Sequence, residues 1–200
     1  ALLDAAQRLY RDRGTLPTVL DIARAAGMAK GAVYLWFRSK EEIFVALLES
    51  NFLALIARLM PVIESLDTNP ARAAGSFAAQ YSKLLDEFPD LLPLASISNN
   101  IFKGNLPVES LSHLNRNLGA ALSEAGEVLE RRVGSLFPGQ GSTLLFRTWT
   151  LTVGLWHVLA LPEALRKLLD APALSVSHRQ FSKELLTAVT QLWQGAMISE

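Results

Sequence analysis

The run TVLDIARAAGMAKGAVYLWFRSKEEIF, from Thr18 to Phe44, admits few folds. Ala23 and Gly27 lie four residues apart, the spacing of one helix face, and small residues there let a second helix approach closely. Gly27 also permits a left-handed turn that residues with a Cβ resist. Thr18 followed by Asp21, and Ser39 followed by Glu42, have the spacing of capping boxes, so helices are expected to open at both points. Between them a short helix is expected from about Lys30 to Phe37. Ile22, Ala26, Met28 and Val33 would wedge the second and third helices together. Two short helices joined by a tight glycine-containing turn form a helix-turn-helix, whose second helix enters the major groove of a duplex while the first crosses its phosphates.

The rest of the chain is expected to be helical too, giving an all-α fold. No stretch alternates apolar and polar residues long enough to read as a strand. Leu2, Ala5, Ala6, Leu9 and Tyr10 form a first apolar stripe, closed by Gly14. Beyond residue 65, prolines at 70, 89, 93, 107, 138, 162 and 172 separate periodic runs. Helices are expected near 71–87, 90–103, 107–134, 141–161 and 178–198, with a short turn near 163–170. The pattern predicts a three-helix head over residues 1–47, ahead of a larger helical domain over 48–200.

Bulk charge does not advertise a nucleic-acid partner, because nineteen basic and nineteen acidic side chains cancel. Residues 1–50 hold seven Lys or Arg against six Asp or Glu, so the case rests on where single groups sit. There is no cysteine, which excludes a disulfide framework and thiolate metal sites and fits a reducing, cytoplasmic setting. The longest apolar runs, such as Leu151 to Leu161, fall short of the ~20 residues that span a bilayer, so no membrane partner is expected. The sequence opens at Ala1 inside a helical pattern with no basic-then-apolar leader, and without a methionine, which leaves room for a short basic arm ahead of it.

His113, His157 and His178 share no metal-ligand spacing, so no metal or cofactor is expected. Gly139-Gln140-Gly141-Ser142-Thr143 resembles a phosphate loop but lacks the lysine and the preceding strand; it reads as a loop and the cap of the next helix. No nucleophile elbow or other catalytic motif is present, and the chain is not expected to be an enzyme. The competing reading is an all-helical enzyme with dispersed catalytic residues, which would turn over a small molecule without binding an operator.

The outward residues of the third helix suit a duplex. Lys30 and Gly31 open it, Ala32 follows, and Tyr34, Leu35 and Trp36 crowd its end. An amine and a phenol both bond phosphate oxygens, and Lys40 stands at the start of the fourth helix, whose free N–H groups favour an anion. The competing readings are that Tyr34 packs under the first helix and that Lys40 is only a solvated neighbour of the cap.

Residues 1–50, and above all IARAAGMAKGAVYLWFRSKEE, resemble the DNA-binding domain of TetR-type repressors. The resemblance implies that Thr18 touches phosphate, that Lys30, Ala32, Leu35 and Trp36 face base edges or a thymine methyl, and that Tyr34 and Lys40 clamp the backbone. Three departures from the family pattern bear on operator affinity and helix angle. Ala29 stands where Ser or Thr is usual, a lost cap that typically costs ~1 kcal/mol. Ala32 replaces a common threonine, and the connection from Gly14 to Thr18 is short and lacks an aromatic.

A palindrome-like operator is read by a dimer. Residues 144–161 are apolar nearly all round, which signals burial on more than one side. Thr150, Leu151, Gly154, His157, Val158 and Leu161 of that helix, with Leu185, Val189, Leu192 and Trp193 of the last one, are the expected homodimer interface; filling of the subunit's own core is the alternative. The resemblance also implies a small ligand that alters DNA affinity. Phe77, Tyr81, Phe102, Leu145, Trp149, Thr152 and Trp156, with Phe88 and Phe146 nearby, are the expected walls of a pocket for a neutral, largely apolar molecule, unless they close-pack as core.

Overall fold

The computed structural model describes residues 1–102, 106–160 and 180–198. In chain order the helices are α1 (Leu2–Arg13), α2 (Val19–Ala25), α3 (Lys30–Tyr34), α4 (Lys40–Glu64), α5 (Pro70–Asp86), α6 (Leu91–Phe102), α7 (Val108–Val133), α8 (Gln140–Leu159) and α9 (Phe181–Ile198). No strand occurs among the described residues, so the all-α expectation holds. The turn expected at 163–170 lies outside them, as does Leu161.

The chain forms two compact units, Ala1–Ala54 with Pro89–Gly119, and Leu55–Phe88 with Ala120–Glu200. In the first, Ala5, Ala6, Val19, Ile22, Ala23, Val33 and Ile43 are buried together as the core of the head. Ile22 and Val33 sit at its centre as the pattern implied, whereas Ala26 and Met28 are only half-buried. A second cluster joins Tyr10, Phe44, Val45, Leu47, Leu94, Ile101 and Leu114. Tyr10 and Phe44 meet edge to face, 5.6 Å between centroids.

This unit also holds a polar node that sequence reasoning missed. Asp90 leads into α6, and its carbonyl accepts the Leu94 N–H at 3.0 Å. Its carboxylate is nearly buried and accepts from Gln7 Nε2 at 2.9 Å and from both Nε and a terminal nitrogen of Arg11. Burial pushes the Asp90 carboxyl up, but the hydrogen bonds from Arg11 and Gln7 and the Arg11 charge outweigh it, so the group sits below the usual carboxylate range.

In the second unit α9 packs on α5 and α8. Glycine decides how α7 and α8 meet. A Cβ on Gly126 would lie 2.3 Å from the Ser142 backbone nitrogen, and one on Gly141 would lie 2.2 Å from the Gly126 carbonyl oxygen. The backbones therefore touch directly, and Glu130 of α7 accepts the Gly141 N–H at 2.8 Å, serving one of the free donors at the start of α8. Gly139 precedes α8 in a left-handed conformation, and the Ser142 and Thr143 hydroxyls donate back to its carbonyl. Of the stretch expected to be a loop and helix cap, only Gly139 lies outside the helix, as its N-cap; Gln140 to Thr143 form the first turn of α8. By length and composition α4 could cross a membrane, but half of its apolar window is buried inside the protein, where Phe44, Leu47, Leu55, Leu59 and Ile63 serve as core.

Candidate nucleic-acid interface

The Thr18 hydroxyl accepts the Asp21 N–H at 3.2 Å and donates to the Asp21 carboxylate at 2.9 Å, which fixes the start of α2. Arg13 also donates to that carboxylate at 3.0 Å, and the bonds from Thr18 first and Arg13 second hold the Asp21 carboxyl below its ordinary range. The helix runs to Ala25 with Ala26 as its C-cap, so it stops before Gly27, in line with the left-handed turn expected there. Gly27 lies just beyond the end at φ 67°, with its N–H on the Arg24 carbonyl and the Met28 N–H on that of Ala23. That is a Schellman closure, and it sets the angle between α2 and α3.

α3 has no side-chain cap at Ala29 and keeps only five residues. The Trp36 and Phe37 N–H groups both reach the Val33 carbonyl at 3.0 Å, so the expected length to Phe37 is completed by a hydrogen-bonded turn rather than by helix. Val33 and Phe37 pack toward the core, which sends the other side chains outward. Tyr34 is 46% exposed, Leu35 83% and Trp36 77%, while Lys30 and Gly31 are exposed and Ala32 half-buried. Tyr34 therefore does not pack fully under α1. The α4 start is capped as its sequence predicts: Ser39 Oγ accepts the Glu42 N–H at 3.2 Å, while Glu42 reaches back to the Arg38 N–H.

Thr18, Lys30, Tyr34 and Lys40 line one open groove of about 310 Å³, with Val19, Leu20, Ser39 and Glu41. The Lys30 ammonium lies 5.8 Å from the Tyr34 ring centroid, a cation–π contact that keeps amine and phenol side by side. Lys40 lies 3.9 Å from Glu41, a loose and exposed pairing that leaves it available to another anion. Trp36 and Phe37 border a second groove of about 390 Å³ carrying Glu42, Glu49, Glu109 and His113. Basic and acidic surfaces thus flank the end of α3.

The other expected sites fare differently. Leu185, Val189 and Trp193 are fully buried against their own chain, so they have no surface to offer a partner; this corrects the expectation for α9, where Leu192 is half-buried. On α8, Thr150, Gly154, His157 and Val158 are exposed and Leu151 is half-buried, and nothing in the chain lies within 4 Å of a Cβ built on Gly154.

The aromatic residues close-pack around α9. Phe77 stacks on Trp193 at 3.6 Å and on Tyr81 at 5.5 Å. The Tyr81 hydroxyl bonds that of Thr152 at 2.9 Å, and the Trp193 indole donates to Thr148 at 2.9 Å. Burial holds the Tyr81 phenol far above its ordinary range. Leu145 is buried, Trp149 and Trp156 are partly buried, and Trp156 meets Phe181 edge to face. Phe146 is exposed, contrary to its expected place among the converging rings. The Phe102 side chain lies outside the described residues.

A glycine-closed pair of short helices, with cations and aromatic side chains turned outward from the second, defines a helix-turn-helix DNA-binding protein. Residues 2–47 match the family described as bacterial regulatory proteins, tetR family, and residues 49–200 match the tetracyclin repressor-like C-terminal domain. The chain belongs to the TetR family of transcriptional regulators, whose members bind DNA operators and usually dimerise. It is 34% identical over 84 residues to the HTH-type transcriptional repressor KstR2 of Mycobacterium tuberculosis, a match spanning 42% of either chain. Its fold is similar to that of the fatty acid degradation regulator FadR from Bacillus halodurans, with TM-score 0.58 at 17% identity over 100% of this chain and 95% of that one. A TetR regulator from Rhodococcus sp. RHA1 is similar too, with TM-score 0.58 at 15% identity over 99% and 94% of the two chains.

Proposed function

We propose that this chain is a repressor that binds a palindrome-like operator as a homodimer in the cytoplasm and is released by a small, largely apolar molecule. The observation that carries the reading is the groove joining Thr18, Lys30, Tyr34 and Lys40 beside the outward Leu35 and Trp36. Its cations and hydroxyls would take phosphates, which fix register, and α3 with Gly31 and Ala32 at its start would lie along the base edges. Residues 1–47 act as the reading head and 48–200 as the dimerisation and ligand domain.

Dimerisation is assigned to the outer face of α8, where Thr150, Gly154, His157 and Val158 are exposed alongside Phe146. An open glycine within an apolar surface suits close packing of a second helix. The effector is assigned to the aromatic region of α5, α8 and α9. There the paired Tyr81–Thr152 and Trp193–Thr148 groups give an apolar interior a few polar points. Room for a ligand would come from moving Phe77 or Trp193 off their stack, and that rearrangement would bias the spacing of the two heads.

Selection of bound duplexes from a random pool tests the reading. Enrichment of a two-fold site with half-site centres ~34–36 Å apart, or a multiple of it, is expected. Binding without preference over random DNA would overturn it.

A further inference from the structure

We propose that Ser110, in the first turn of α7, is a positioning residue for operator binding: it anchors the Glu42 carboxylate that closes the reading head, and so sets the angle at which α3 meets DNA. The inference rests on the DNA-binding reading above and adds to it a residue from outside the helix-turn-helix. Glu42 serves two elements with one carboxylate. Its Oε2 accepts the Arg38 N–H, just past Trp36 and Phe37, and its Oε1 accepts the Ser110 hydroxyl at 3.1 Å. A single side chain thereby ties the end of the head to a helix that starts far along the chain.

The tie belongs to a polar seam between α4 and α7. Asn117 of α7 donates to Glu49 of α4, and His113 Nδ1 lies 3.6 Å from the same carboxylate. Ser110 and Asn117 are seven residues apart, and so are Glu42 and Glu49, two turns on each helix. The helices therefore run in the same direction here and are held at two points along one face. Leu114, between those points, is buried with Phe44 and Val45 and acts as the pivot. Toward the end of α3 the seam is not filled by side chains, because the open groove of about 390 Å³ bordered by Trp36 and Phe37 lies there. Close packing cannot fix the angle of the head across open space. No Lys or Arg lines that groove, so neutral donors, the Arg38 N–H and the Ser110 hydroxyl, hold the Glu42 carboxylate. Without Ser110, Glu42 keeps its cap bond but loses its anchor on α7, and the start of α4 is free to swing about Leu114.

The test measures affinity for the operator selected from random duplexes, by fluorescence anisotropy over a range of salt concentrations. Ser110→Ala should weaken binding by up to about five-fold per head, the worth of one hydrogen bond. Ser110→Thr keeps the hydroxyl and should bind like the wild type. Ser110→Glu sets a second carboxylate against Glu42 and should weaken binding further, with faster exchange of the Arg38 amide proton in NMR spectra of the free protein. The slope of log K against log salt should stay as in the wild type, because no phosphate contact is lost. In a Glu42→Ala background, Ser110→Ala should have no further effect, which separates action through Glu42 from general loss of stability. Wild-type affinity in both Ser110→Ala and Ser110→Glu would overturn the inference while leaving the DNA-binding reading intact. A full additional loss from Ser110→Ala in the Glu42→Ala background would also overturn it. Absence of any operator preference in the wild type would defeat the underlying reading, and the inference with it.

Discussion

Gly126→Ala should be among the most damaging single-methyl additions to this chain. The new Cβ would stand 2.3 Å from the Ser142 nitrogen and 2.7 Å from its Cα, both backbone atoms that no rotamer change can move. Comfortable contact starts near ~3.5 Å, so α7 and α8 would have to part by about 1 Å. Overpacking of this kind costs up to about 3 kcal/mol. Parting the helices also stretches the Glu130–Gly141 bond of 2.8 Å, worth about 1 kcal/mol. Alanine returns up to about 1 kcal/mol of helix propensity. The net is a loss of about 3 kcal/mol, or a drop of roughly 6–12 °C in Tm for a chain of this size. Gly119→Ala is the control, since nothing lies within 4 Å of a Cβ there; it should raise stability by up to about 1 kcal/mol. Thermal unfolding followed by circular dichroism reads both. If Gly126→Ala melts at or above the wild-type temperature, the direct backbone contact between α7 and α8 is wrong.

Ala29→Ser supplies the missing cap of α3 and should stabilise the head by about 1 kcal/mol in urea unfolding. Asp90→Asn should cost about 1–2 kcal/mol at pH 7, because a charged acceptor of Gln7 and Arg11 is lost. The folded Asp90 pKa is depressed, so its contribution is present above the unfolded value of ~3.9 and disappears as pH falls through the lower folded value. The stability gap between wild type and Asp90→Asn should therefore close below about pH 4, and a gap that persists at pH 2 would contradict this. Gly154→Arg places a charge on an open face of α8; sedimentation should show a folded monomer with DNA binding lost, whereas an intact dimer would place the interface elsewhere.

What could be read from the sequence was what local signals encode. The caps at Thr18 and Ser39, the left-handed Gly27 and the helical periodicity located the head and most helix ends to within a few residues. α3 starts at Lys30 as expected but ends at Tyr34, where the Trp36 and Phe37 N–H groups close a turn on the Val33 carbonyl; periodicity does not separate such a turn from one more turn of helix. The sequence located the inward face of α8 through Leu145 and Thr152, but not what covers it. The α9 stripe of Leu185, Val189 and Trp193 fits a subunit interface and a subunit core equally well by periodicity; burial by α5 and α8 decides for the core. Gly126 lay inside a regular helical pattern, where nothing local distinguishes a close crossing from an unremarkable glycine. Asp90 was legible only as part of a break before α6, although an aspartate leading into an apolar run is a recognisable helix start. Its partners Gln7 and Arg11 are some eighty residues away, beyond the reach of spacing arguments.

The central claim is that the groove of Thr18, Lys30, Tyr34 and Lys40 faces DNA phosphates, and the salt dependence of operator binding in wild type and Lys40→Ala tests it most directly. Each phosphate contact contributes about −0.9 to the slope of log K against log salt. A dimer that loses one contact per head should therefore show a slope shallower by about 2, with comparable weakening on operator and random DNA. A slope unchanged by Lys40→Ala would contradict the account.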